Sequence, residues 1–308
     1  MRRTLFIATI ALSMLMPFAN PAAEAKYPGP NGQILFARNE PPDNDLTPFT
    51  INPDGTHEFR VLPGIAAECP RWSPDGSKIS VPGATVNADG TGFTPMAPSS
   101  DPLLNLGCNT WSPDGSRLAV EGFNDDHPEV TGIYTVRASD GGDLMRVTPV
   151  GATPTVVIGD YSPDGNRIVF LGEPAHGRRG SLAVFTVNTD GTGLRQITPG
   201  VANCCPGPSW SPDGTELLFG STRGKLLVVH PDGTGLGQIP IRTGGGFSFA
   251  FGPGWSPDGK NIVFSLFLET KGQVDIYTAR ADGTQLVQVT NTPDNEEFAD
   301  WGAHPLAT

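Results

Sequence analysis

The chain has 308 residues, with 32 Asp and Glu against 20 Lys and Arg, for a formal net charge of −12. That balance repels nucleic acid and anionic lipid, so neither is expected as a partner. There is no long non-repeating segment to make a separate catalytic domain.

Residues 1–25 read as an export signal. Arg2 and Arg3 form a basic start, residues 4–18 are almost wholly apolar, and Ala23-Glu24-Ala25 fits a small-x-small cleavage site. The apolar run, about 15 residues, falls short of the roughly 20 that a spanning helix needs. The expected product is a periplasmic or secreted chain that starts near Lys26, has no stable membrane insertion and carries a charge of −13.

From residue 33 onward the chain repeats. W-S-P-D-G stands at 72–76, 111–115, 210–214 and 255–259, and Y-S-P-D-G at 161–165. Trp72, Trp111, Tyr161, Trp210, Trp255 and Trp301 therefore share one repeat position. Asp-Gly pairs at 54–55, 89–90, 140–141, 190–191, 232–233 and 282–283 alternate with that marker. Successive marker aspartates, Asp75, Asp114, Asp164, Asp213 and Asp258, lie 39, 50, 49 and 45 residues apart. Propeller blades and some helical repeats share this period. Short branched runs decide for strands: R-I-V-F at 167–170, E-L-L-F at 216–219, N-I-V-F at 261–264. Past the signal segment, no apolar period of 3.6 residues persists for three helical turns.

Each unit parses as a four-stranded meander. Strand a ends at the aromatic, S-P-D-G turns the chain, strand b carries the I-x-F run, strand c follows, and Asp-Gly turns the chain into strand d. Proline presets φ, aspartate accepts backbone hydrogen bonds, and glycine takes the left-handed position. These motifs are folding signals. The repeated aromatics are expected to pack between blades, with carbohydrate stacking the alternative. The first b strand, Q-I-L-F at 33–36, has no marker before it, whereas Ala299-Asp300-Trp301 has no b strand behind it. The two fragments complete each other, which predicts an all-β, six-bladed β-propeller over residues 26–308, closed by the C-terminal strand. Blade 2 is compact, with residues 78–86 supplying both b and c.

The S-P-D-G and Asp-Gly turns share one face and the b–c and d–a connections the other. The longest expected excursions on the second face are 121–131, 172–180, 240–254 and 291–300, and such loops are where binding resides on a rigid scaffold. Asp125, Asp126, His127 and Glu129 are candidate ligands of a divalent cation, although their spacing matches no calcium or zinc motif; no other cofactor is expected. His176, Arg178 and Arg179 form the densest basic group. Asp294, Glu296, Glu297 and Asp300 form a second acidic rim suited to a basic partner. His57, His230 and His304 read as solvated. There is no G-x-S-x-G and no H-E-x-x-H, so no catalytic residues are assigned.

Export permits disulfides. Cys69 and Cys108 each lie three residues before a marker tryptophan, which makes them the preferred bridge if their α-carbons approach. Cys204 and Cys205 would then form a vicinal bridge or stay reduced. All three complete pairings remain open.

W-S-P-D-G followed by I-x-F, then I-Y, D-G-T and a terminal V-T, seen at 255–264, 276–277, 282–284 and 289–290, resembles the TolB-like six-bladed propeller family of WD40-like PD40 repeats. The resemblance covers nearly all of residues 30–303, and the blades begin without the N-terminal domain of TolB. It implies the propeller fold. The family includes a partner-binding periplasmic protein of the Tol-Pal system, and the repeat also occurs beside peptidase domains and in some polysaccharide lyases. The expected function is recognition of a protein or envelope-associated ligand by the variable face, with a polysaccharide-acting enzyme as the alternative.

Overall fold

A computed structural model of the chain describes residues 29–41, 45–96, 101–176, 180–202 and 207–308. The expected signal segment, Arg178, Arg179, Cys204 and Cys205 lie outside the described residues.

The strands fall into groups set by the turn motifs. Blade 1 contains β1 (Ile34–Glu40), β2 (Asp45–Ile51) and β3 (Phe59–Arg60). Blade 2 is β4 (Arg71–Trp72), β5 (Lys78–Val81), β6 (Ala84–Asn87) and β7 (Thr94–Pro95). Blade 3 is β8 (Asn105–Trp111), β9 (Arg117–Phe123), β10 (Gly132–Arg137) and β11 (Met145–Arg146). Blade 4 is β12 (Val156–Tyr161), β13 (Arg167–Gly172), β14 (Ala183–Asn188) and β15 (Arg195–Gln196). Blade 5 is β16 (Ser209–Trp210), β17 (Leu217–Gly220), β18 (Leu226–Val229) and β19 (Gly237–Ile239). Blade 6 is β20 (Ser248–Trp255), β21 (Asn261–Leu268), β22 (Gln273–Arg280) and β23 (Val287–Gln288). The last strand, β24 (Asn295–Trp301), pairs antiparallel with β1, so blade 1 runs β24-β1-β2-β3 and the ring closes as expected. The first strands of successive blades touch one another in a complete circuit, β24, β4, β8, β12, β16, β20 and back to β24, so they surround the axis.

Each marker turn is tied by its own side chains. In the first, Ser73 Oγ donates to Asp75 Oδ1 at 2.6 Å, Ser77 N–H donates to the same oxygen at 3.0 Å, and Lys78 N–H donates to Ser73 Oγ at 2.9 Å. Gly76 closes the turn at φ +68°, a conformation that penalises any side chain. The pattern recurs at Asp114, Asp164, Asp213 and Asp258. In the Asp-Gly turns the threonine after glycine supplies the clamp: Thr56 N–H and Oγ1 donate to Asp54 at 3.0 and 2.6 Å.

Blade faces pack on blade faces, so the middle strands are apolar on both sides: in β13, Ile168, Val169, Phe170 and Leu171 are all buried. The apolar clusters cross the blade boundaries. One joins Ala119 and Ile133 of blade 3 to Ile158, Tyr161 and Phe170 of blade 4, and another joins Val263 and Ile276 of blade 6 to Ile34 and Trp301 of blade 1. The marker aromatics belong to this packing. Trp111 Nε1 donates to Arg71 O across the blade 2–3 boundary at 3.3 Å, and Trp301 Nε1 donates to Gly32 O at 3.0 Å. Arg167 of blade 4 lies 4.7 Å above the ring of Trp210 in blade 5.

Three expectations need correction. Residues 240–254 are not one long connection, because β20 starts at Ser248, and the 291–300 excursion is mostly β24. In both cases strand a extends well above the marker tryptophan, and in β24 its polar sequence disguises it. His304 is not solvated: its ring stacks on Trp72 at 4.9 Å with planes 10° apart, and its Nδ1 bonds Gly76 O at 2.8 Å.

Candidate functional site

The residue just before each marker aromatic sits on the innermost strand of its blade. These residues are Asp300, Arg71, Thr110, Asp160, Ser209 and Gly254 in ring order. The five with polar side chains are all buried. Asp300 Oδ2 accepts Trp72 N–H at 2.8 Å, and Asp160 accepts Thr110 Oγ1 at 3.3 Å and Ser209 Oγ at 2.7 Å. The carboxylates thereby join blade 1 to 2 and blades 3 to 4 to 5. Buried charges persist only with such partners.

Above this tier, on the face of the b–c and d–a connections, a cleft of about 530 Å³ opens among blades 1, 2 and 3. Asp45, Glu68 and Glu121 line it with Leu46 and Leu106, and Phe123 stands at its rim, 42% exposed. The Cys69–Cys108 disulfide fixes its floor; the two α-carbons are 5.7 Å apart, so the preferred bridge forms between equivalent positions of blades 2 and 3. Glu121 Oε1 accepts Ile158 N–H from blade 4 at 2.8 Å. Burial pushes the Glu121 carboxyl up to about 7, against the pull of the Ile158 and Cys108 amides and Arg71, and with a further push from Glu68. Burial, then Glu68, raises Glu297 on β24 as well. Carboxylates gathered at one mouth favour a cation there.

The residues singled out from sequence behave differently. Asp125, Asp126 and Glu129 are exposed around a 3₁₀ turn, Pro128–Val130, and His127 Nδ1 meets only Glu129 Oε1, at 3.1 Å. Among the described residues no three His, Cys, Asp or Glu side chains gather to hold a metal. Of the four candidates, the structure brings His127 and Glu129 together across this turn. His176 is exposed in the b–c connection of blade 4. Glu296 is not part of a rim: it is fully buried, accepting Arg38 Nε at 2.9 Å, Thr290 Oγ1 at 3.0 Å and Thr292 Oγ1. Asp300 belongs to the axial tier. Asp294 is half-buried near the top of β24, and Glu297 alone of the four feels the charge of Glu68 at the mouth.

Sequence reasoning passed over Glu68, Glu121, Arg71 and Asp160. A usable signal was present for the last two: a charged residue directly before the marker aromatic breaks the apolar character of an inner strand.

The closed ring of four-stranded blades defines a six-bladed β-propeller with an acidic mouth. No family model matches the sequence, and no curated protein sequence matches it. Among solved structures the chain is similar to a putative TolB from Agrobacterium tumefaciens, at 18% identity and a TM-score of 0.63 over 88% of this chain and 98% of that one. It is also similar to a chain of the nidogen/laminin complex, at 11% identity and a TM-score of 0.68 over 89% and 99%. An oligogalacturonate lyase in complex with manganese is similar at 14% identity and a TM-score of 0.53 over 81% and 72%. At these identities the likeness is one of fold: the propeller resembles the TolB-like fold. Among the described residues no helix is long and apolar enough to cross a membrane.

Proposed function

We propose that the chain is an exported binding propeller that recognises a protein partner in the cell envelope or outside it, through the face bearing the b–c and d–a connections. The observation that carries this reading is the cleft among blades 1 to 3, where Asp45, Glu68 and Glu121 converge beside the exposed ring of Phe123. A Lys or Arg side chain fits that chemistry twice, by charge and by contact of its cation and alkyl stem with an aromatic ring. The partner segment is therefore basic. The resemblance to TolB-like propellers, whose family includes a partner-binding periplasmic protein, supports the same reading.

Crosslinking pull-down of the mature chain from its own envelope extract, read by mass spectrometry, tests the proposal. The control carries Glu68→Gln, Glu121→Gln and Phe123→Ala. A protein captured by the parent and lost from the control supports the reading; equal capture by both overturns it.

A further inference from the structure

On the opposite face, between blades 1 and 2, lies a cleft of about 640 Å³. His57 and Phe59 line it from blade 1, Ser77 and Asn87 from blade 2, and His304 from the segment that follows β24.

His57 holds φ +55°, in the left-handed region, which costs free energy for a residue with a side chain. The equivalent turn position is glycine in blades 2, 4 and 5, at Gly92, Gly193 and Gly235, with φ of +64°, +65° and +69°. In blade 3 it is Asp143, whose carboxylate meets Arg117 Nη1 at 2.6 Å. In blade 6 it is Gln285. Blade 1 has Gln33 where blade 3 has Arg117, and Gln33 Nε2 turns to Asn52 Oδ1 at 3.4 Å. The ion pair that spans the turn in blade 3 has no counterpart here, and the His57 ring lines an open cleft instead.

Of the two carboxylates that line this cleft, Glu58 is paired with a cation and Asp89 is held by its own turn. Glu58 accepts Nη1 and Nη2 of Arg38 at 2.8 and 2.6 Å, and Asp89 accepts Thr91 N–H and Oγ1 at 2.9 and 2.6 Å. The rest of the lining offers imidazole nitrogens, hydroxyls, side-chain amides and the ring of Phe59, 45% exposed. The two histidines offer the same chemistry. His57 Nδ1 lies 2.9 Å from Thr56 Oγ1, whose own proton goes to Asp54, so Nδ1 donates and Nε2 of His57 is left as an acceptor. His304 Nδ1 donates to Gly76 O at 2.8 Å, which leaves its Nε2 as an acceptor.

The geometry points to a second binding site in this cleft, for a neutral polyhydroxylated ligand: a saccharide whose ring carbons lie on Phe59 and whose hydroxyls bond His57 and His304. Hydroxyl groups donate, which is what two acceptor imidazole nitrogens require. An anionic ligand would find no Lys or Arg in this lining.

Saturation-transfer NMR on the full chain tests this with cellotetraose, mannotetraose and the N-acetylglucosamine tetramer as probes. Transfer to at least one is expected. His57→Gly places glycine where three other blades have it, so it should fold with an unchanged or higher melting temperature and yet bind about tenfold more weakly, a loss of about 1.4 kcal/mol. Phe59→Ala should weaken binding at least as much, while Glu121→Gln, on the other face, leaves it unchanged. Absence of transfer from all three saccharides, or His57→Gly and Phe59→Ala variants that bind like the parent, overturns the inference.

Discussion

Arg38 and Glu296 stand directly opposite each other in the β1–β24 register and meet at 2.9 Å, although 258 residues of chain separate them. Arg38 also holds Glu58 and lies 4.4 Å above the ring of Phe49, so its guanidinium is fully occupied. Glu296 has two threonine hydroxyls besides. The seam of the ring is thus an ion pair enclosed in protein. Removing one partner leaves the other charged and buried, so Arg38→Met is expected to cost about 3–5 kcal/mol. Urea unfolding measures it. Arg38→Met combined with Glu296→Leu should recover much of the loss; a double variant as unstable as the sum of the singles would contradict this account.

The Cys69–Cys108 bridge closes a loop across blades 2 and 3 with a sequence separation of 39. Its loss is expected to lower stability by about 2–4 kcal/mol. The parent under reducing agent and a Cys69→Ser/Cys108→Ser variant should melt at the same lowered temperature. Unchanged melting in both would mean that the strands alone fix this boundary.

The turn aspartates set the acid limit. Thr hydroxyls and amides hold Asp54, Asp89, Asp190, Asp232 and Asp282 below the usual carboxylate range. In the marker turns burial acts upward, but the serine hydroxyls and turn amides outweigh it, and Asp75, Asp114, Asp164, Asp213 and Asp258 also lie low. A folded-state pKa below the unfolded one adds stability that is complete above the unfolded value and lost as pH falls through the folded one. The urea midpoint should therefore drop steeply below about pH 4. A midpoint that rises between pH 5 and pH 3 would contradict this.

Glu121 works in the opposite sense. Its carboxyl, raised by burial to about 7, keeps a proton that the unfolded chain has already released, so its contribution to stability declines as pH rises from the unfolded value to about 7. Glu121→Gln should be more stable than the parent at pH 8. A cation seated in the mouth favours the charged form, so binding of the basic partner should release up to about one proton near neutrality and strengthen as pH rises from 5 to 7. Calorimetry in two buffers of different ionisation enthalpy reads that proton. The Glu121→Gln variant should release none.

The repeat was legible because its turns are local. Ser73 and Asp75 complete their hydrogen bonds within six residues, so each copy announces itself in the sequence. Blade closure was legible for the same reason, from one marker lacking its b strand and one b strand lacking its marker. The site was not. Glu121 and Glu68 come from different blades and meet only because the disulfide and the inner strands bring blades 2 and 3 together. Glu296 looked like a solvated loop residue because its cation, Arg38, sits at the other end of the chain.

The pairing of β24 with β1 also has a kinetic consequence. Blade 1 cannot acquire its innermost strand until the chain has closed a loop of nearly its whole length, and such long-range contacts form late because closure entropy is met before the contact is made. Until then β1 presents an unpaired edge, a template for another chain. Refolding yield should thus fall with protein concentration, and a permuted chain with β24 placed directly before β1 should refold faster and with less aggregation than the natural order.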